Sequence, residues 1–282
     1  MEIQDFLETV LFVIVVYRQP VPKSAAWTSL ESEIANLRCK TNLLIYDNSP
    51  EPQVAPDSTL VHIYYHHNPS NAGVSAAYNF ANRLSLHEGN RWLLLLDQDT
   101  QLSRGSLLQY HKAFNDHPDS VIFAPILRDK KGIVSPFTFR LGGGVRVKSA
   151  RSGVISLKKY KAINSGLLIN SDAFQRAGGY EDSLRLDFSD LAFLRKFQTV
   201  DEKLMIVNTV LQHNFSGSVR QEYQKTLDRF KIYCEAAELM GGITGHKILF
   251  WFRSFLRALH LTCSYGHVSF LRIHHQTWSK SR

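Results

Sequence analysis

The stretch Leu93-Leu94-Leu95-Leu96-Asp97-Gln98-Asp99-Thr100 is a short apolar run that ends on two carboxylates separated by one residue. Four consecutive leucines suit a strand that helices cover on both faces, and side-chain alternation places Asp97 and Asp99 on the same side. Ligands bind at that carboxyl edge of parallel sheets. Two converging carboxylates repel each other unless a hard divalent cation lies beside them, typically one that carries the phosphates of a nucleotide. The alternative is a polar turn in which Asp99 caps the next helix, and the spacing alone favours neither.

Length and composition describe an ordinary globular protein. The 282 residues are 44% hydrophobic and 21% charged, which suits one sizeable α/β domain with an appended piece and excludes disordered and fibrous classes. The three cysteines, Cys39, Cys234 and Cys263, are far apart and form no C-x-x-C pair. They therefore indicate neither a disulfide framework nor a zinc site, and we expect a reducing, cytoplasmic setting.

The first residues and the overall charge limit where the protein can be located and what it can bind. Glu2 and Asp5 stand where a secretory signal would carry bases, and no apolar run is long enough to span a bilayer. The formal net charge of +8 favours a polyanionic neighbour, which can be nucleic acid, an anionic membrane surface or a phosphorylated substrate. Charge alone does not choose among these three.

Strands and helices alternate over the first hundred residues. The apolar periodicity predicts strand, helix, strand, strand, helix and strand at residues 11–17, 24–37, 42–46, 60–65, 74–84 and 93–96. Such alternation predicts an α/β fold with a Rossmann-like, mostly parallel sheet and helices on both faces. Because neither G-x-G-x-x-G nor G-x-x-x-x-G-K-[ST] occurs, a dehydrogenase fingerprint and a nucleotide triphosphatase loop are unsupported.

Polar residues follow these strands where a ligand would lie. Asp47 ends the second strand and can accept hydrogen bonds from a base or ribose, although a turn is the better explanation of Asp47 taken alone. The small residues at 68–73 lead into the helix after the third strand. Backbone amides at the start of that helix can face a phosphate.

The second half of the chain is less regular. Pro125 interrupts an apolar run at 121–127, which predicts a strand near a sheet edge. Gly142-Gly143-Gly144 is typical of a flexible hairpin tip, because no strong strand precedes it and no helix follows it. Within a predicted strand at 162–169, Ser165-Gly166 indicates close approach of a ligand or another backbone.

Two titratable residues occupy similar positions further along. Asp190 can cap the helix that follows it, and a carboxylate at a helix start beside a cleft can also serve as a general base. His213 follows a predicted last strand at 204–211. A lone histidine is usually structural, yet this one is placed like the carboxylates above.

The C-terminal part is predicted to be helical at 219–240 and 246–261, so we expect an α/β domain at 1–217 and a helical, basic extension at 218–282. The second helix carries an apolar stripe with basic residues elsewhere on its surface. The apolar stripe consists of Ile248, Phe252, Phe255, Leu256 and Leu259, and the basic residues are Lys247, Arg253 and Arg257.

A basic, aromatic amphipathic helix of this kind can lie in the surface of an anionic membrane, whereas packing against the α/β core is the competing explanation. The tail is also basic, with Arg272, Lys280 and Arg282. This charge favours peripheral contact with a membrane.

Several of these signals occur together in an order that is more specific than any one of them. They are Val15-Val16-Tyr17, Asp47-Asn48-Ser49, residues 68–73 with Asn79, residues 95–100, Asn164-Ser165-Gly166, Gly178-Gly179-Tyr180, residues 187–190 with Arg195, and His213 with Gly217. In this order the chain resembles the inverting nucleotide-sugar glycosyltransferases of family two with the A-type fold. Within that family it is most similar to the rhamnosyltransferase-like proteins of bacterial O-antigen and polysaccharide assembly.

The resemblance implies a role for each matched site residue. Asp190 would be the catalytic base, and Asp99 would bind Mg²⁺ or Mn²⁺ at the donor diphosphate, with His213 as a further ligand. The implied substrate-binding residues are Asp47 at the base, Asn71 and Gly73 along the nucleotide and phosphate path, Asp97 at the ribose or sugar, Ser165 and Gly166. The family often carries a second acid two residues after the base, and here Ala192 replaces it.

The implied function is transfer of a sugar, with L-rhamnose from dTDP-rhamnose as the best match, to a lipid-linked oligosaccharide at the inner face of the cell membrane. One alternative is a UDP-hexose-dependent transferase of the same fold. Another is a non-catalytic nucleotide-binding assembly subunit, which Ala192 suggests. A nucleic-acid partner is disfavoured because the sequence lacks a basic-aromatic RNA-binding motif.

Overall fold

A computed structural model of the protein describes residues 1–213 and 222–279. The strands are β1 Val10–Val16, β2 Thr41–Asp47, β3 Val61–His67, β4 Trp92–Asp97, β5 Thr100–Gln101, β6 Ile122–Asp129, β7 Gly132–Ser135, β8 Phe137–Arg140, β9 Gly143–Arg146, β10 Gly153–Ser156, β11 Tyr160–Lys161, β12 Leu168–Asn170 and β13 Lys203–His213. The α-helices are α1 Ile3–Glu8, α2 Ala25–Leu37, α3 Gly73–His87, α4 Ser106–Asp116, α5 Ser171–Arg176, α6 Ser189–Phe197, α7 Tyr223–Thr244, α8 Lys247–Tyr265 and α9 Ser269–Ser279.

The central sheet follows the order β10-β13-β6-β12-β4-β1-β2-β3, with β5 added to β13 and β7 added to β6. The pairs among β4, β1, β2 and β3 are parallel, as is the pair of β6 with β13, whereas β12 runs antiparallel to both its neighbours. Two clusters of buried apolar residues cover the sheet, because alternate side chains of each buried strand point to opposite faces. The predicted fold class, a mostly parallel sheet between helices with further C-terminal helices, is confirmed.

The strand register brings the acidic strand ends to one edge. β1 lies between β2 and β4, with Val16 paired to Asp47 and Val15 paired to Asp97. All three strands are parallel, so Asp47 and Asp97 leave the sheet on either side of the end of β1. Such an edge is where open α/β sheets bind ligands.

The predicted edge position of the strand at 121–127 is wrong. β6 lies inside the sheet, between β13 and β12. On one side β12 pairs only with Ile122 and Phe123, and on the other side the register with β13 shifts between Ala124 and Ile126. Pro125 is tolerated because its missing N–H falls where the hydrogen-bond ladder is interrupted.

The continuous strand predicted at 162–169 is also wrong, because Ser165 and Gly166 form a turn before β12. Gly166 has a φ of +82°, and a Cβ at this position would lie 2.4 Å from the Cγ atom of Pro125. Glycine is therefore required by the close approach of a side chain from β6 rather than by a ligand or another backbone.

The hairpin predicted at Gly142-Gly143-Gly144 is present, with its tip at Leu141 and Gly142 and with Gly143 and Gly144 at the start of β9. β8 and β9 pair with Arg140 opposite Gly143, and together with β11 they form a second, three-stranded sheet. Arg253 on α8 donates a hydrogen bond of 2.8 Å to the carbonyl oxygen of Leu141 at the tip. The hairpin therefore rests on the C-terminal helices.

The C-terminal helices pack against α6. The helices predicted at 219–240 and 246–261 correspond to α7 and α8, and α9 is an additional helix. Leu191 and Ala192 of α6 are buried in one cluster with Ala236 and Met240 of α7 and Phe250 of α8. The predicted domain boundary between residues 217 and 218, together with Gly217, Lys280 and Arg282, lies outside the described residues.

The apolar stripe of α8 points away from the protein. Phe250, Ser254 and Ala258 form the buried side of this helix. On its other side Ile248, Phe252, Leu256 and Leu259 are 85%, 49%, 48% and 37% exposed, with Phe255 partly buried and Trp251, 40% exposed, beside them. The alternative in which the stripe packs on the α/β core is therefore wrong. Over residues 1–213 and 222–279, none of the helices combines the length and apolarity needed to cross a membrane.

Candidate active site

A cavity of about 1450 Å³ opens at the carboxyl ends of β1 and β4. This cavity, the cleft, is also lined by the start of α3, the segment 185–190 and the last residue of β13. α7 and α8 complete it on the other side. Six of the residues predicted from the sequence line it, namely Asn71, Gly73, Asp97, Asp99, Asp190 and His213.

Asp97, Asp99 and His213 form a cluster suited to a metal ion. One potential ligand atom from each lies within 4.8 Å of the other two, and His213 Nδ1 is 3.4 Å from Asp99 Oδ1. β5 creates this cluster, because its residue Thr100 pairs with His213 of β13 directly after the acidic strand end. Two carboxylates and an imidazole are a donor set that Mg²⁺ or Mn²⁺ can use.

Side chains that do not line the cleft orient the cluster through hydrogen bonds. The Tyr78 hydroxyl donates to Asp97 Oδ1 at 3.1 Å. The Thr100 hydroxyl is 2.9 Å from His213 Nδ1, and it also contacts Ser165, whose oxygen accepts from the backbone N–H of Asp97. These contacts fix the rotamers of the candidate ligands, as in the supporting shells of metal sites.

The electrostatics of the cluster favour a cation. Burial raises the pKa of Asp97 and of Asp99, and the negative charge of Asp97 raises the pKa of Asp99 further, while His213 opposes both shifts. A divalent ion would relieve the repulsion and stabilise both carboxylates in their charged forms.

Asp190 lies in the first turn of α6. The pKa of Asp190 is raised to about 7, mainly by burial and also by the charges of Asp187 and Asp97, while the hydrogen bond from the Leu191 N–H acts to lower it. The prediction that Asp190 caps the helix is wrong, because the cap position belongs to Phe188 and Asp190 Oδ1 accepts from the Leu191 N–H at 2.8 Å. A carboxyl group with a pKa near neutrality is suited to take up and release a proton.

Asn71 and Gly73 line the cleft where α3 begins. The backbone of Arg185 approaches so closely that a Cβ on Gly73 would lie 2.2 Å from its carbonyl oxygen, and Gly73 has a φ of +89°. The same oxygen accepts from the N–H of Val74 at 2.8 Å, which occupies one of the amides predicted to face a phosphate. The guanidinium of Arg185 donates to the carbonyl oxygen of Asn71 and lines the cleft beside it.

Asp47 is placed differently from the prediction that it contacts the nucleotide base. Its side chain is fully buried and does not appear in the lining of the cleft. Its oxygens accept from the N–H of Ser49 at 2.8 Å, the N–H of Gln53 at 2.7 Å and the Tyr65 hydroxyl at 2.6 Å. Burial acts to raise the pKa of Asp47, but these hydrogen bonds together hold it below the ordinary value. The turn favoured for Asp47 on sequence grounds is therefore present.

Asn48, the next residue, faces the cleft instead. Its side-chain oxygen is buried and has no hydrogen-bond partner among the residues that the structure describes. An unsatisfied buried acceptor beside a ligand cleft is a candidate contact for a ligand N–H or O–H group. The sequence offered only the Asp-Asn-Ser string at a strand end and could not show which of the two side chains turns inward.

Ser165 and Gly166 lie behind the cleft rather than in its lining. Ser165 is fully buried between Asp97 and Thr100, and the Gly166 carbonyl accepts from the Tyr110 hydroxyl at 2.6 Å. Neighbouring Asn164 does line the cleft, and its amide donates to Ser189 at 3.1 Å at the start of α6.

Several cleft residues were not identified from the sequence. They are Asn48, Arg185, Arg229 and Arg257, which line the cleft, and Tyr78, which is buried outside the lining and donates to Asp97. Arg229 and Arg257 belong to helices whose packing brings them to the sheet edge, and no local motif marks them. Tyr78 lies in the apolar periodicity of α3, where an aromatic residue reads as core.

Comparison with known proteins identifies the family of this site. Residues 12–165, more than half of the chain, match the family model described as glycosyl transferase family 2. The chain belongs to glycosyl transferase family 2. Within this glycosyltransferase the matched region contains most of β1, all of β2 to β4 and both carboxylates of the Asp97–Asp99 pair, but neither Asp190 nor the C-terminal helices.

A curated relative is the dTDP-rhamnosyl transferase RfbF of Shigella flexneri. It is 25% identical to the glycosyltransferase over 122 residues, which are 43% of this chain and 41% of RfbF. The match thus spans about two fifths of the length of that relative.

Solved structures of TarS from S. aureus share the fold. The crystal structure of TarS 1-349 superposes with a TM-score of 0.53 at 11% identity, covering 91% of this chain and 72% of that one. The same fragment in complex with UDP gives 0.53 at 12% identity, covering 81% and 64%. The glycosyltransferase A-type fold predicted from the sequence is therefore confirmed.

Ala192, which replaces the second acid often found in the family, lies in an apolar contact. Ala192 is buried against Ala236, Ala237 and Met240 of α7 and does not appear in the lining of the cleft. An acid here would be buried in an apolar contact without a partner, which is costly. Alanine therefore suits the packing of the C-terminal helices on α6.

Proposed function

We propose that this chain is a metal-dependent, inverting glycosyltransferase in which Asp190 is the base and Asp97, Asp99 and His213 hold the cation. The observation that carries the proposal is that Asp190 lines the same cleft as the Asp97, Asp99 and His213 cluster, close enough for the charge of Asp97 to act on Asp190. The base that activates the nucleophile and the cation that stabilises the leaving group must act on the same bound substrate, which requires such a shared site.

Asp190 is proposed to take the proton of the attacking sugar hydroxyl. A hydroxyl is a weak nucleophile until its proton is removed, and a positioned base commonly contributes roughly a hundredfold to ten-thousandfold in rate. The pKa of Asp190, raised to about 7, leaves a large ionised fraction near neutral pH and a stronger base than an ordinary carboxylate. Direct displacement then inverts the anomeric centre without a covalent enzyme intermediate.

Departure of the nucleoside diphosphate requires neutralisation of the negative charge that develops on it. A bound Mg²⁺ or Mn²⁺ supplies Lewis-acid stabilisation of that charge. Asp97, Asp99 and His213 are the residues proposed to hold it. Tyr78 and Thr100 hold these side chains in place through the hydrogen bonds described above.

The donor is proposed to be dTDP-rhamnose, with a UDP-hexose as the alternative. The name of RfbF supports a dTDP-sugar, whereas a TarS fragment has been crystallised with UDP. Asn48, with its unsatisfied oxygen, and Asn71 and Gly73 at the start of α3 form the proposed nucleotide path. Asp47 does not line this path but stabilises the adjacent 49–53 turn by accepting hydrogen bonds from the N–H groups of Ser49 and Gln53.

The acceptor is proposed to be a lipid-linked saccharide in O-antigen or polysaccharide synthesis at the inner face of the cell membrane. The exposed apolar stripe of α8 supports peripheral contact with a bilayer. Lys247 and Arg253 on the same helix match the negative charge of anionic lipids.

A donor panel tests the proposal. The protein is incubated with dTDP- and UDP-sugars in the presence of Mn²⁺ or Mg²⁺, with water as the acceptor of the sugar, and release of the nucleoside diphosphate is measured with and without chelator. We expect chelator-sensitive release from one donor, and strong loss of release in Asp190→Asn. Nucleotide binding without turnover of any donor would instead identify a non-catalytic assembly subunit.

A further inference from the structure

The cleft has two walls of different origin. One wall is made by the strand ends, the start of α3 and the cation cluster. The other, the helical wall, comes from α7 and α8 and includes Lys225, Arg229, Arg257 and His260. Pockets for one small ligand usually measure about 300–1000 Å³. The cleft, at about 1450 Å³, therefore has room for a second ligand.

Asp190 lies where the two walls meet. The charge of Asp97 acts on it from the first wall, and the adjacent Leu191 and Ala192 pack against α7 and α8. In a direct displacement the attacking hydroxyl and the leaving group stand on opposite sides of the transferred sugar. Because the cation cluster would bind the leaving group at the first wall, the acceptor would approach from the helical wall.

The charged residues of the helical wall are not equally available. Arg229 is engaged by Asp187, Asp228 accepts from Gln224 at 3.0 Å, and Lys225 lies 3.5 Å from Glu222. Among the described residues no ion pair joins Arg257 to a carboxylate. Its guanidinium carbon lies 4.1 Å from the centroid of the Tyr233 ring.

That contact prepares Arg257 for an anion. The Tyr233 side chain also hydrogen-bonds Arg257, and a guanidinium held against an aromatic ring in this way loses little freedom when it binds a further group. Its planar fork matches two oxygens of a phosphate group. His260, one helical turn later, lines the same part of the cleft and adds a further donor.

We propose that Arg257 and His260 form an acceptor subsite that binds a phosphate group carried by an amphiphilic acceptor. The subsite rests on the proposed function, because it assigns the helical wall to the acceptor of the same reaction. α8 also carries the apolar stripe on its exposed side, so one helix offers both a phosphate site and a lipid-facing surface. An alkyl phosphate combines these two chemistries in a single ligand.

The test uses decyl phosphate below its critical micelle concentration, titrated by calorimetry into the full chain with Mn²⁺ and saturating UDP and dTDP present. Occupying the donor site first removes binding at the nucleotide phosphate path. We expect wild type to bind, Arg257→Met to bind about tenfold or more weakly, and Arg257→Lys to fall between them. Arg272→Met, which removes the same charge from α9 outside the cleft, is expected to bind as wild type does.

Two further ligands identify what is recognised. Decyl glucoside, which lacks the phosphate, is expected to bind weakly and without dependence on Arg257. Inorganic phosphate is expected to bind more weakly than decyl phosphate, and equal affinity would assign the subsite to free phosphate. Unchanged binding in Arg257→Met, or its loss when the nucleotides are added, would overturn the subsite. Because the titration requires no turnover, that outcome is distinct from failure of the donor panel.

Discussion

Arg229 on α7 forms a bidentate ion pair with Asp187, three residues before Asp190. Nη2 of Arg229 donates to Oδ1 of Asp187 at 2.8 Å, and Nη1 donates to Oδ2. The charge of Asp187 contributes to the raised pKa of Asp190. A residue of the C-terminal helices therefore balances the charge beside the proposed base, so the helices contribute to the electrostatics of the candidate active site.

The first prediction concerns this pair. Arg229→Met leaves the charge of Asp187 unbalanced and should raise the pKa of Asp190, whereas Asp187→Asn removes that charge and should lower it. Since the base acts when deprotonated, the acid limb of the pH profile of kcat/KM, near pH 7 in wild type, should move up in Arg229→Met and down in Asp187→Asn. Arg176→Met, which removes an exposed cation of α5, is the control, and two unmoved profiles would contradict the coupling.

The second prediction sets activity against stability at Asp190. Asp190→Asn should lose roughly a hundredfold to ten-thousandfold in transfer rate. The folded-state pKa is raised from 3.8 to about 7, so the contribution of Asp190 to stability is full below about pH 4 and is lost as pH rises through 7. Asp190→Asn should therefore melt higher than wild type at pH 8 and equally at pH 4. A lower melting temperature at pH 8 would show that the buried charge is compensated.

The third prediction concerns the cation. Mn²⁺ should raise the melting temperature of wild type but not of Asp99→Asn, and chelator should stop transfer. Because burial raises the pKa values of Asp97 and Asp99, the stabilisation by Mn²⁺ should weaken as pH is lowered from 8 to 5. Asp172→Asn, an exposed acid on α5, should respond like wild type. An equal response in Asp99→Asn would remove Asp99 from the cation site.

The fourth prediction separates Asp47 from Asn48. Asp47→Asn loses hydrogen-bond acceptors in a buried turn and should be destabilised by about 1–3 kcal/mol near neutral pH, as measured by denaturant unfolding. The lowered pKa of Asp47 means that this stability is lost as pH falls. Asn48→Ala should instead raise the KM for the donor with little change in stability. The reverse pattern would assign the nucleotide contact to Asp47.

The fifth prediction concerns the apolar stripe. Phe252→Ser combined with Leu256→Ser should reduce cosedimentation with vesicles that contain phosphatidylglycerol, because about half of each side chain is exposed on α8. Leu86→Ser combined with Leu108→Ser removes two exposed apolar side chains elsewhere and is the control. Wild type that stays in the supernatant would remove the proposed membrane contact.

The sequence was sufficient for the local parts of this protein. Apolar runs predicted the strands of the parallel half of the sheet, and apolar residues at helical spacing predicted α2 and α3. Both predictions were possible because a buried strand or an amphipathic helix has a periodic pattern of apolar residues in one continuous segment. The Asp97–Asp99 pair and His213 were also found, since each follows a strand whose end lies at the same edge of the sheet. The matched region of the family covers the carboxylate pair directly.

The sequence by itself determined which residues could carry charge at a strand end, and the tertiary structure decided which of them share the cleft. Asp47 turns into a loop that satisfies its carboxylate, and Asn48 turns inward, because hydrogen bonds from Tyr65 and Gln53 fix the turn. Pro125 could enter the middle of the sheet only because the pairing on both sides is interrupted there. Arg229 and Arg257 reach the site through helix packing, and contacts between distant helices leave no pattern in the local sequence.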